Sequence, residues 1–281
     1  MKIIECPRDA MQGFSHFIPT DKKIEYINGL LRVGFDTLDF GSFVSPKIIP
    51  QMRDTETVLQ NLDRSGTRTK LLAIVANNQG AEAAVSHGAV NYLGFPFSIS
   101  ETFQVRNTNS TIAQSFENVK YIHSLCKDTG KELVIYISMG FGNHYGDPWN
   151  TDVVDEWVDK MAGLDIKTIS LSDTVGVANP ETISYLFGHL IKKYPNIEFG
   201  AHLHTRQDNW REKVQAAWDN GCRRFDGAIK GFGGCPMADD DLVGNMPTEF
   251  LIQFMQENNI ETGLDIAAFE KSMLLSTTVF I

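Results

Sequence analysis

The stretch IKTISLSDTVGVANPETISYLFGHLIKKYPNIEFGAHLH (166–204) decides the fold reading. It opens on the β-branched run IKTISLS (166–172), turns polar at Asp173, and resumes at Asn179–Pro180. Asn before Pro gives a helix N-cap and a first-turn proline, whose missing N–H would have had no helical partner anyway. An amphipathic stretch follows and leads into a second strand-like run, IEFGAHL (197–203). Two strands around one helix form a strand–helix unit of a parallel sheet.

Working outward, the same beat fills the chain. The other strand-like runs are KIIE (2–5), FDTLDF (35–40), KLLAIVA (70–76), AVNYLGF (89–95), ELVIYIS (132–138) and CRRFDGA (222–228). Helical faces show as Ile24, Ile27, Leu30 and Leu31; as Ile112, Phe116, Val119 and Ile122; and as Val154, Trp157 and Met161. Gly34, Gly88, Gly130 and Gly221 stand just past helical runs, where a left-handed residue closes the last turn. Eight such units in a chain of this length predict an α/β fold, a (β/α)8 TIM barrel. A doubly wound sheet would carry a glycine-rich phosphate turn after its first strand, and CPRDAMQ (6–12) has none. One barrel domain is expected over 1–281, with its eighth helix near 248–259 and the last roughly 20–30 residues as a C-terminal helical extension.

The 281 residues carry 25 Lys plus Arg against 35 Asp plus Glu, a net charge of −10. That balance excludes nucleic-acid binding, which needs a basic stripe. No apolar run approaches the ~20 residues of a membrane helix, and MKIIECPRDAM lacks the apolar stretch of a secretory signal. Cys6, Cys126, Cys222 and Cys235 have no CxxC spacing. Reduced thiols and a soluble, cytoplasmic protein are expected. The apolar ending STTVFI (276–281) packs on the barrel or on a partner subunit, so a homo-oligomer stays open.

In a parallel barrel, chemistry collects at the C-terminal strand ends, where the βα loops converge. Every strand here ends polar: Arg8, Asp9 and Gln12; Asp39; Asn77 and Asn78; Glu101; Ser138; Asp173; His202 and His204; Cys235 and Asn245. In His202-Leu203-His204 the two imidazoles point the same way from a strand and can reach one ion. With Asp9 and the Asn245 amide they form an oxygen-rich, thiol-free set that suits Mg²⁺ or Mn²⁺ better than structural zinc. Cys235 lies in the glycine-rich loop GFGGCPM (231–237), an unusual place for an inert thiol.

These motifs resemble the metal-dependent acyl-CoA lyases typified by 3-hydroxy-3-methylglutaryl-CoA lyase. The resemblance runs in order through PRDAMQ (7–12), SFVSPKIIPQM (42–52), SETFQVRNTNSTIAQSF (100–116), SLSDTVGV (170–177), HLH (202–204), GFGGCP (231–236) and the GN and TE pairs at 244–249. It implies Asp9, His202, His204 and Asn245 as ligands of Mg²⁺ or Mn²⁺. It implies Arg8 as the cation facing enolate charge, Gln12 as a substrate contact and Asp39 at the position of a catalytic glutamate; Ser138, at its strand end, is a further candidate substrate contact. Asp173 matches a carboxylate near the reacting hydroxyl, Cys235 a flap thiol, and Glu249 a supporting carboxylate. The implied reaction cleaves a 3-hydroxy acyl-CoA to a ketone and a thioester enolate. His202 or Asp173 is the candidate base; Cys235 or Asp39 would reprotonate the enolate.

The chain departs from that pattern at Ala10, Asp39, Thr205 and RQDNW (206–210), and GFSHF (13–17) lacks an expected lysine. The segment after Cys235 carries Asp239, Asp240 and Asp241, which disfavour a polyanionic CoA ester unless Lys47, Arg53, Arg106 or Arg206 offset them. Two alternatives follow: a metal-dependent aldolase acting on a 4-hydroxy-2-oxo acid without CoA, and a barrel that binds metal and carboxylate without turnover.

Overall fold

The structure is a computed structural model and describes residues 1–233 and 244–280; Cys235 and the run 239–241 lie outside the described residues. Eight parallel strands close into a barrel in chain order: β1 (Lys2–Glu5), β2 (Thr37–Ser42), β3 (Lys70–Ile74), β4 (Tyr92–Ser98), β5 (Glu132–Ser138), β6 (Thr168–Ser172), β7 (Glu198–His202) and β8 (Arg224–Gly227). β8 pairs back onto β1 from Lys2↔Arg224 to Glu5↔Gly227, which shuts the ring. This is the (β/α)8 barrel expected from the strand–helix beat.

The helices are α1 (Pro7–Gln12), α2 (Thr20–Leu31), α3 (Thr55–Gln60), α4 (Asn78–Val85), α5 (Glu101–Thr108), α6 (Ile112–Asp128), α7 (Thr151–Gly163), α8 (Pro180–Lys193), α9 (Trp210–Asp219), α10 (Thr248–Glu257) and α11 (Ile266–Val279). Asn179 caps α8 as read: its side chain accepts from the Thr182 N–H, and Pro180 opens the first turn. α11 lies along α2, and the approach is so close that a Cβ on Gly29 would stand 2.9 Å from Leu275 Cδ1. Among the described residues, no helix is long and apolar enough to cross a membrane.

Several local expectations need correction. PRDAMQ, which follows the first strand, forms a short helix, α1, because Pro7 is pre-set for a first helical position and needs no N–H partner there. β2 runs to Ser42, with a bulge between Asp39 and Gly41. β4 starts at Tyr92 and continues to Ser98, paired with β5 to its end. Gly34, Gly130 and Gly221 have positive φ as expected, but Gly88 is not among the left-handed residues.

The core has two parts. Outward strand residues such as Phe40, Leu93, Phe95, Ile135 and Leu171 bury against Val119, Ile122, Val154, Met161 and Leu186 of the helices. Inside the barrel a smaller apolar cluster joins Leu72, Ile74, Tyr92, Val134 and Tyr136 of β3–β5. The opposite half, from β6 to β8, presents Ser170, Ser172, Arg224 and Asp226, all buried. That polarity makes the interior unlike the branched apolar filling usual for this architecture.

Candidate active site

The packing of α1 against β2 brings Asp39 and Arg8 together at the C-terminal mouth, just before the bulge that follows Asp39. Arg8 Nε donates to Asp39 Oδ1 at 3.2 Å and Oδ2 at 3.0 Å, while Nη2 reaches Oδ2 at 2.6 Å. The remaining guanidinium arm donates to Asp9 Oδ1 at 3.0 Å. Gln12, one helical turn beyond Asp9, donates to the same oxygen at 2.8 Å. Burial pushes the Asp39 carboxyl up to about 6 even though Arg8 pulls it down.

β7 delivers the histidines. One ligand atom each of Asp9, His202 and His204 lie within 4.8 Å of one another. His202 Nε2 is 3.8 Å from Asp9 Oδ2, a separation suited to two atoms sharing a central ion rather than a hydrogen bond. Burial works against charge on all three. Arg8, then His202 and His204, outweigh it at Asp9 and hold that carboxyl below its usual range. Burial, followed by repulsion from His202, pushes His204 down to about 3, so its imidazole is neutral and can act as a ligand. At His202 burial is overruled by Asp226, and the net shift is upward.

The donor set suits a divalent cation: one carboxylate and two imidazoles, clustered and largely buried. Asp226 completes it from behind. Its Oδ2 lies 3.0 Å from His202 Nδ1, so an Nδ1–H donated there leaves Nε2 with a bare lone pair on the Asp9 side. Asn245 is buried beside this set, bridging its strand segment to His204 and donating from Nδ2 to the Phe232 carbonyl at 2.9 Å.

These groups edge a cavity of about 400 Å³ that takes in Arg8, Asp9, Gln12, Asp39, His202, His204, Ser138, Ser172 and Thr174. Its far wall is apolar, built from Val44, Ile48, Ile49, Ile74 and Pro96, and Arg106 and Asn107 stand at its rim. The cavity thus offers a charged end with a possible ligand set and an apolar flank.

A profile of the HMGL-like family matches residues 2–274. The chain belongs to the HMGL-like family. It is 31% identical over 264 residues to the hydroxymethylglutaryl-CoA lyase of Bacillus subtilis, covering 92% of this chain and 86% of that relative. It is also 31% identical over 268 residues to the cytoplasmic 3-hydroxy-3-methylglutaryl-CoA lyase of Rattus norvegicus, covering 95% and 77%. Among solved structures, an HMG-CoA lyase from Acinetobacter baumannii in complex with coenzyme A and 3-methylmalate superposes with a TM-score of 0.90 at 33% identity, covering 97% of this chain and 88% of that one. These relatives are HMG-CoA lyases, and the chain is a carbon–carbon lyase.

Within this HMGL-like barrel the residues singled out from sequence do not all reach the cavity. Asp173 sits at the end of β6 but is 1% exposed and faces away, with Oδ2 on Lys213 Nζ at 2.7 Å and Oδ1 accepting from the Ala178 N–H at 2.9 Å. Lys213 Nζ also donates to the His204 carbonyl at 2.9 Å, so the pair clamps the strand end that carries the histidines. Glu249, on the first turn of α10, accepts from the Lys230 N–H at 3.0 Å and does not line the cavity. Asn77 caps α4, and Glu101 accepts from the Ile112 N–H; both are structural. Sequence reading passed over Asp226 and Lys213. Period-two alternation within RFDG shows Arg224 and Asp226 sharing a face, but not that the face lies against His202.

Proposed function

We propose that the chain is a divalent-metal-dependent lyase that cleaves 3-hydroxy-3-methylglutaryl-CoA, or a closely similar 3-hydroxy acyl-CoA, to acetyl-CoA and acetoacetate. The observation that carries this reading is the Asp9–His202–His204 cluster with the Arg8–Asp39 pair beside it at one cavity mouth. Asp9, His202, His204 and Asn245 would hold Mg²⁺ or Mn²⁺. When bound, such an ion supplies Lewis acidity and a template for substrate oxygens.

The side chains divide the remaining work. Cleavage passes the substrate's hydroxyl proton to the Asp39 carboxylate, breaks the C2–C3 bond with its electron pair entering the enolate, and leaves negative charge on the thioester oxygen. Arg8, fixed by Asp39 and Asp9, is preorganised to face that charge, which favours the transition state over the ground state. Asp39 has the proton affinity of a group that can give and take a proton near neutrality, and we assign it proton delivery to the enolate carbon. Gln12 and Ser138 line the cavity and orient the acyl portion. Asp173, through Lys213, and Glu249 support the site without touching substrate. Arg106 at the rim suits the anionic end of a CoA ester, in keeping with the coenzyme A held by the Acinetobacter baumannii lyase.

The test is turnover of 3-hydroxy-3-methylglutaryl-CoA with Mg²⁺ or Mn²⁺, following acetyl-CoA release. A rate abolished by EDTA supports the reading. No turnover in a protein that still binds one metal ion overturns it and directs the search to 4-hydroxy-2-oxo acids, assayed by pyruvate release.

A further inference from the structure

We propose that the polar half of the barrel interior is a water-binding compartment, and that Arg224 acts through it as a positioning residue for His202. The inference rests on His202 being a metal ligand. Four neighbouring strands place Tyr136, Ser170, Gly200 and Arg224 on one register layer, each the direct partner of the next. One step nearer the mouth, Ser172 is the partner of His202, and Asp226 bonds His202 from the other side.

Arg224 is 1% exposed. Its Nη1 arm faces the lower rim, 3.5 Å from Glu198 and 3.8 Å from Asp36. Nε and Nη2 have no protein partner, and neither do the Tyr136, Ser170 and Ser172 hydroxyls or Asp226 Oδ1. Gly200 explains how the side chain fits, since a Cβ there would stand 3.1 Å from both Arg224 Cδ and Ser170 Oγ. Orphaned buried polar atoms are rare, and a cluster of them is the usual signature of internal water. The cluster holds guanidinium and hydroxyl donors at one end and the Asp226 carboxylate at the other. Arg224 and Asp226 share a strand face, yet the direct ion pairs of Arg224 run to the rim. Water bridging Nε and Nη2 to Oδ1 fills that gap, with the three hydroxyls completing its bonds. Asp226 is thereby held for His202 Nδ1–H, and Nε2 stays free for the ion.

Arg224→Met keeps the stem and removes the donors; Arg224→Lys keeps a charge; Tyr136→Phe removes a single hydroxyl and disturbs the fold least. The readouts are the ¹⁵N resonances of the His202 ring in metal-free protein and the Mn²⁺ affinity by titration. Recorded at alkaline pH, where the ring is neutral, wild type is expected to show a protonated Nδ1 and a bare Nε2. Arg224→Met should mix the tautomers and weaken Mn²⁺ about tenfold, the low end of what outer-shell partners cost. Arg224→Lys should recover part of this, and Tyr136→Phe should show a smaller loss. Should Arg224→Met fail to fold, the other two variants decide. Unchanged His202 resonances and unchanged Mn²⁺ affinity in every folded variant overturn the proposal. Failure of the lyase reading would instead appear as absent turnover in wild type, with these two readouts intact.

Discussion

Replacing Lys213 with Met would leave the Asp173 carboxylate buried against an uncharged chain. The two side chains are 2% and 0% exposed, and the 2.7 Å pair between them has little solvent to screen it. Burial already raises the Asp173 carboxyl with Lys213 present. Without that ammonium the carboxyl takes up a proton rather than remain charged, so the penalty has a ceiling. Holding a proton on a group of ordinary value 3.8 costs about 1.4 kcal/mol for each pH unit above it. The ceiling is therefore about 4 kcal/mol at pH 7 and under about 2 kcal/mol at pH 5. The sign follows from linkage: the variant's native state holds a proton that its unfolded state releases, so its stability falls as pH rises. The expected Tm loss at neutral pH is at most about 7 °C. Urea denaturation of wild type and variant at both pH values measures the difference. The double variant Lys213→Met/Asp173→Asn carries no charge at this pair and should lose the added pH dependence. A deficit below about 1 kcal/mol at pH 7, or one equal at pH 5 and pH 7, would refute the reasoning.

Glu5 offers a second pH test: burial pushes its carboxyl up to about 8, although the Thr248 hydroxyl and Ile229 N–H both donate to it. Its folded state keeps a proton that the unfolded chain releases, so stability should decline from about pH 4.5 to about pH 8, and the Glu5→Gln variant should lack that decline in matched denaturation curves. Mn²⁺ at a hundred times its Kd should stabilise the protein by about 2.7 kcal/mol. That should appear as a rise in Tm that EDTA reverses and His204→Ala never shows. Asp39→Asn keeps the shape but loses the charge that pins Arg8 and the transferable proton; kcat for the acyl-CoA substrate should fall by about 10² or more with metal binding preserved.

The barrel was legible because its signals are local and repeated. Each strand–helix unit carries its own β-branched run, cap and stop, as at Ile166–Leu203, and parallel strands joined by helices leave few topologies. Asp9, His202 and His204 were legible for a related reason: the rule that chemistry gathers at strand ends converts sequence position into place. Asp173 shows where that rule stops. It ends its strand as Ser138 does, yet its carboxylate turns from the cavity because Lys213 of α9 offers a buried partner.

The sequence alone determined that eight strand–helix units close into a barrel and that their ends gather Asp9, His202 and His204, a set that could hold a divalent ion. Only the tertiary structure decided which of those polar residues face one another. The Arg8–Asp39 fork depends on α1 packing against β2, and the His202–Asp226 bond depends on the register between β7 and β8. Register is a property of two strands packed together. A shift of one residue would turn Asp226 to the opposite face, and neither strand's own sequence records which alignment its neighbour adopts.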